Sequence, residues 1–168
     1  MSIVKSYSVG VGDMFYIRHN SDNFTIIDCD LNDENANDII ADIKAAKSGK
    51  GIERFICTHP DEDHFGGLNL LDDAVSISNF YVVKNKATKA VQTESFKRYC
   101  ELRDGNKAFC IYKGCSRKWM NRGDEERKTS GIEILWPNTE NSYFKEALAA
   151  CEAGESYNNT SAAIRYSV

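Results

Sequence analysis

Residues 58 to 67 run Thr-His-Pro-Asp-Glu-Asp-His-Phe-Gly-Gly, and four side chains in that stretch can bind a metal ion: His59, Asp61, Asp63 and His64. Two imidazoles and two carboxylates within six residues suit Zn²⁺, Mn²⁺ or Fe²⁺, because neutral nitrogen and anionic oxygen donors both satisfy these ions. Asp63 and His64 are adjacent, so a loop with irregular backbone is expected to turn both toward one cavity. Asp, Glu and Pro are also ordinary turn residues. A plain surface turn, however, does not account for two of the chain's three histidines standing together.

The elements around this segment must hold it in place. Arg54-Phe-Ile-Cys-Thr58 is an apolar run too short for a helix, so it is expected to be a buried strand whose C-terminal end delivers His59. Gly66-Gly67-Leu68 to Leu71 reads as the start of a helix. Upstream, residues 3–9, 14–18 and 24–28 alternate apolar stretches with turn signals and predict a three-stranded meander. From Asn32 to Lys47, Ala36, Ile39, Ile40, Ile43 and Ala46 recur at helical spacing, and Gly49 follows the end. Downstream the pattern predicts a strand at 77–83, a helix at 87–103, a strand at 132–136, a helix at 143–151 and a last strand at 161–168. Residues 107–130 carry no clear period. Strands alternating with helices indicate an α/β layered domain.

Composition limits the function classes. The chain has 168 residues, 42% hydrophobic and 27% charged, with 11 Gly and 2 Pro. Those proportions exclude disordered and fibrous classes and predict one domain over residues 1–168. No apolar run approaches the roughly 20 residues that span a bilayer, so no membrane association and a cytoplasmic location are expected. Six cysteines without a secretion signal or a CxxC pair are expected to be free thiols, and no second pair or nearby His completes a zinc site at Cys110 and Cys115. The net charge of −4 conceals a basic segment from Lys84 to Lys128, with 13 Lys/Arg against 6 Asp/Glu. Its cations alternate with Phe96, Tyr99, Phe109, Tyr112 and Trp119, a mixture suited to phosphate neutralisation and base stacking. Lys113, Arg117 and Lys118 are the substrate-binding candidates on that basis, with nucleic acid or another phosphodiester as the partner. The alternative is a solvated helix face over ordinary core aromatics.

The segment from Thr58 to Gly67 resembles the metal-binding signature of the metallo-β-lactamase superfamily. Its nearest variant is that of the hydrolase domain of ComEC-type competence proteins, Thr/Ser-His-x-Asp-x-Asp-His-x-Gly-Gly. Val9-Gly-Val-Gly-Asp13 is similar to that subgroup's opening, Ile26-Ile-Asp28 to a strand-ending Ile-Asp, and Asn158-Asn-Thr-Ser161 to an Asn-x-x-Ser before an apolar strand. The resemblance implies an αββα sandwich, a mixed sheet with flanking helices, of which this chain would be the N-terminal portion. It implies one or two divalent ions (Zn²⁺, Mn²⁺ or Fe²⁺), with His59 and Asp61 on one and Asp63 and His64 on the other. Asp28 and Asn158 would support the ligands from behind. A metal-activated water would be the nucleophile and Asp63 the acceptor of its proton. Asp61 stands where most of the superfamily has His, which shifts the first site toward harder ions.

The implied reaction is phosphodiester hydrolysis, as in a nuclease or phosphodiesterase. Hydrolysis of thioesters, lactones or β-lactams is the rival within the fold, and a catalytically inactive interaction module is the rival outside enzymology. The superfamily's later ligands have no counterpart here, so a completing C-terminal half or self-association through the last strand is expected.

Overall fold

The computed structural model describes residues 1–168. Its main sheet has six strands: β1 (Ile3–Ser6), β2 (Phe15–Arg18), β3 (Asn23–Ile27), β5 (Ile52–Cys57), β6 (Phe80–Val82) and β7 (Ala108–Cys110), paired in the order β1-β2-β3-β5-β6-β7. The first three form the expected antiparallel meander, and β3, β5, β6 and β7 run parallel. A two-residue strand, β4 (Cys29–Asp30), follows β3 and bridges to Phe65 and Gly66.

Strand alternation divides the side chains between two faces. Phe24, Ile26, Phe55, Cys57, Phe80 and Val82 face a 25-residue cluster with helices α1 (Ala36–Lys47), α3 (Leu68–Val75) and α4 (Glu94–Asp104). Each helix contributes an apolar stripe at three- and four-residue spacing: Ile39 and Ile43, Leu68, Leu71 and Val75, Phe96, Tyr99 and Leu102. Ile56, Tyr81 and Val83 face the other way. There they pack with Ile132 and Ile134 of β8 (Ile132–Trp136) and with Phe144 of α5 (Ser142–Glu152). β8 pairs antiparallel with β9 (Ala163–Tyr166) in a second, two-stranded sheet. The layers are helices, mixed sheet and small sheet, the α/β arrangement that the alternation predicts. No helix is long and apolar enough to cross a membrane.

Several boundaries differ from the sequence expectation for local reasons. α4 begins at Glu94 rather than at 87, because Thr93 caps it by accepting a hydrogen bond from the Phe96 N–H at 3.0 Å. Residues 161–168 form a strand only over 163–166. The stretch from 107 to 130 contains β7, three residues at the sheet edge, too short to show a period. The largest difference lies between the metal-binding candidates. Glu62–Phe65 form one helical turn, α2, with Asp61 extended at its start.

Candidate metal centre

The segment from Thr58 to Gly67 leaves the C-terminal end of β5 beside Asp28, the residue that follows β3. Parallel pairing of the two strands places them together, and the Asp28 N–H donates to the Ile56 carbonyl at 2.9 Å. Asp28 is 2% exposed and has φ of +54°, a conformation uncommon outside glycine and more readily tolerated by Asp and Asn. In that pose its carboxylate accepts from three groups. Oδ1 takes the Thr58 backbone N–H at 2.7 Å; Oδ2 takes the Thr58 hydroxyl at 2.6 Å and lies 2.9 Å from Nδ1 of His64.

These contacts set the tautomers of both histidines. A carboxylate only accepts, so His64 Nδ1 carries the proton, and in the neutral ring Nε2 keeps its lone pair. The single Thr58 hydroxyl proton goes to Asp28, so the hydroxyl oxygen, 3.1 Å from His59 Nδ1, accepts from that nitrogen. His59 Nε2 is then also a bare lone pair. It is buried and has no hydrogen-bond partner. The two ring centroids lie 3.9 Å apart with the planes tilted by 48°.

The carboxylates stand beside these nitrogens. Asp61 Oδ2 lies 3.6 Å from His59 Nε2, and Asp63 Oδ2 lies 3.6 Å from His64 Nε2. Ser156, just before the 3₁₀ turn Tyr157–Thr160, donates its hydroxyl to Asp61 Oδ2 at 3.2 Å. Burial first, then the charge of His64, pushes the His59 pKa down, against Asp61, Asp28 and Asp63. For His64 burial also acts downward, but the Asp28 hydrogen bond and the charges of Asp28 and Asp63 outweigh it and the net shift is upward. Asp30, behind the loop, is pushed up chiefly by burial.

The glycines permit this packing. A Cβ on Gly12 would run into the Asp63 carbonyl oxygen and come within 2.6 Å of the Asp30 side chain. The turn at residues 9–13 therefore seals the back of the loop. Gly67 has φ of +68°, and a Cβ there would meet Leu31 at 2.5 Å.

As it stands the loop holds two His–carboxylate pairs, and no group of three His, Cys, Asp or Glu side chains is close enough to enclose an ion. The donor chemistry nevertheless fits a divalent metal: the unpartnered lone pair of His59 is buried beside a carboxylate. Next to Asp61 a cavity of about 210 Å³ is walled by Pro60, Lys86, Lys89, Glu152, Glu155 and Tyr157, with cations and anions on different elements.

The other sequence candidates fall elsewhere. Asn158 is exposed on the 3₁₀ turn, and the residue there that reaches the loop is Ser156. A short turn preceded by Ser, whose Oγ accepts the Asn158 N–H at 3.3 Å, was the available signal for it. Asp30 was missed too, although its spacing of two from Asp28 places it beside the same loop. Lys113, Arg117 and Lys118 do not converge on the site. Lys113 is exposed beyond β7. The Arg117 guanidinium lies 4.5 Å from the Phe109 ring centroid and reaches Asn79, at the end of the sheet opposite His59. Lys118 lies over Trp119 and pairs with Asp124 at 3.3 Å.

No curated protein matches the chain. The family model of the metallo-beta-lactamase superfamily matches residues 7–97, from the first turn through the metal loop into α4 and more than half of the sequence. The chain therefore belongs to the metallo-beta-lactamase superfamily, whose members are in general hydrolases that use divalent metals.

Proposed function

We propose that the chain is a metal-dependent hydrolase of phosphodiester bonds, in which His59 and Asp61 hold one divalent ion and Asp63 and His64 a second. One observation carries this reading. Through Thr58 and directly, Asp28 orients both imidazoles so that each Nε2 presents an unprotonated lone pair beside a carboxylate. A buried nitrogen is costly to leave without a partner, and unlike the unpartnered Nδ1 of His19 this one stands 3.6 Å from a carboxylate oxygen, so a cation between them would satisfy both.

A divalent ion bound there supplies Lewis acidity and a water acidic enough to lose its proton near neutrality. Asp63, with its side chain 44% exposed, is free to take that proton. Asp61 is held by Ser156 and faces the adjoining cavity, where Lys86, which makes no ion pair, offers positive charge to a phosphate, while Lys89 is paired with Glu62 at 2.8 Å. Two carboxylates in the donor set favour Mn²⁺ or Fe²⁺ over Zn²⁺. The order of motifs Val9–Asp13, Thr58–Gly67 and Asn158–Ser161 supports closeness to the ComEC-type hydrolases.

The test is hydrolysis of bis(p-nitrophenyl) phosphate beside a thioester, a lactone and a β-lactam, with Mn²⁺, Fe²⁺ or Zn²⁺ added. Metal-dependent turnover of the phosphodiester, lost in Asp63→Asn, is the expected result. Turnover of the acyl substrates alone would replace the reaction. Absence of any bound metal at micromolar concentration would remove the enzyme reading in favour of an interaction module.

A further inference from the structure

We infer that the groove between the end of β7 and α5 binds a small amphipathic monoanion free in solution, an alkyl or aryl carboxylate. The groove has a volume of about 330 Å³, within the range of small-molecule sites. Val83, Ile111 and Phe144 form its floor, each under 5% exposed, and Pro137 and Leu148 its sides. These surfaces offer almost nothing to hydrogen-bond, so water is a poor occupant and an apolar body a good one.

The rim determines the sign of the ligand. Lys84 and Lys145 both line the groove, and no acidic side chain does. Lys84 makes no ion pair, and Lys145 meets only the exposed Glu140, at 3.5 Å. An apolar slot with two cations at its mouth complements a molecule with an apolar body and one anionic end. Two separate point charges suit a carboxylate, whereas a peptide or nucleic acid would need a longer track than this groove offers.

The groove is separate from the metal loop. β7 is two strands from β5, roughly 10 Å at ~4.8 Å per strand, and no residue from 58 to 67 lines it. The inference therefore does not depend on the hydrolase reading, and probes without a hydrolysable bond test it alone.

The experiment uses the full chain without added metal. Anilinonaphthalene sulfonate should bind with a single saturating rise in fluorescence, and octanoate should displace it at least tenfold more effectively than octanol or acetate. Lys84→Ala with Lys145→Ala should weaken octanoate at least fivefold, and Leu148→Trp should abolish displacement while circular dichroism stays unchanged. In the unaltered protein octanoate should slow iodoacetamide labelling of Cys110, the one exposed thiol of the six and a residue of the groove wall, at least fivefold. Equal displacement by octanol, or an unchanged Cys110 labelling rate, would overturn the inference. So would stronger displacement by anionic lipid vesicles, which would assign the groove to a membrane surface, or an octanoate-sensitive dimer, which would assign it to a second copy of the chain.

Discussion

Asp28 and His64, 36 residues apart, meet at 2.9 Å between a buried carboxylate oxygen and Nδ1, and the same oxygen takes the Thr58 hydroxyl proton. One acceptor-only group thus decides which nitrogen is protonated on two histidines. Asp28→Asn keeps the shape and tolerates the positive φ, but its amide offers protons where only acceptors fit. The expected loss is about 10- to 100-fold in metal affinity, with a stability cost of about 1–3 kcal/mol from unpaired donors. Thr58→Val should reproduce part of the affinity loss by releasing the His59 tautomer. Metal titration by calorimetry and chemical denaturation of both variants measure the two effects.

Gly12 tests the packing behind the loop. Its α-carbon lies so close to the Asp63 carbonyl and the Asp30 side chain that a single methyl group must displace one of them. The Asp63 side is backbone and yields little, so Gly12→Ala should cost about 1–3 kcal/mol, the usual penalty of overpacking. Gly10→Ala is the control for space, since a Cβ there meets nothing within 4 Å, although its φ of +98° adds strain of its own. Urea denaturation measures the stability of both variants, and metal titration should show binding lost only in Gly12→Ala, because a Cβ on Gly10 displaces nothing.

The parts of this site visible in the sequence are those encoded locally. The strand ending at Cys57, the helix through Ile39 and Ile43 and the Gly66-Gly67 pair each rest on residues close together in the chain. Asp28 could be matched to a motif but not told from a turn residue, because its role depends on φ at one position and on partners 30 and 36 residues away. The one-turn helix at Glu62–Phe65 is too short to leave a period. It keeps Asp63 and His64 adjacent in the same turn, where an irregular loop was expected. Ser156 carries a local turn signal, but nothing in its neighbourhood shows that its hydroxyl reaches Asp61, 95 residues away. Arg117, chosen as a phosphate contact by composition, lies over Phe109, a packing arrangement that composition does not reveal.

His19 gives stability a pH dependence. It is 1% exposed, with Nε2 bonded to the Thr25 hydroxyl at 2.9 Å and Nδ1 unpartnered. Burial, then the charge of Arg54, lowers its pKa to about 3. In the unfolded chain it titrates near 6.5. Between these values the unfolded chain binds a proton that the native state refuses, so stability falls as pH is lowered. The contribution is fully present above pH ~6.5 and declines by about 1.4 kcal/mol per unit down to about 3. His19→Gln lacks that slope, so the stability difference between the native sequence and the variant should change sharply across this window and stay flat above it. Urea denaturation at a series of pH values measures it.

The unpartnered Nε2 of His59 predicts how metal should act on stability. A buried donor or acceptor without a partner is a cost that the native state bears and the unfolded chain does not. A ligand that satisfies it binds the native state preferentially and raises stability by mass action, about 2.7 kcal/mol at a concentration of 100 times Kd. For a chain of this size that corresponds to roughly 5–10 °C in Tm. Mn²⁺ should therefore raise the melting temperature of protein first stripped with a chelator. His59→Ala should remove the rise while melting cooperatively on its own, since the variant deletes the unsatisfied atom together with the ligand. A melting temperature unmoved by Mn²⁺, Fe²⁺ and Zn²⁺ in the native sequence would mean that the lone pairs set by Asp28 hold no metal.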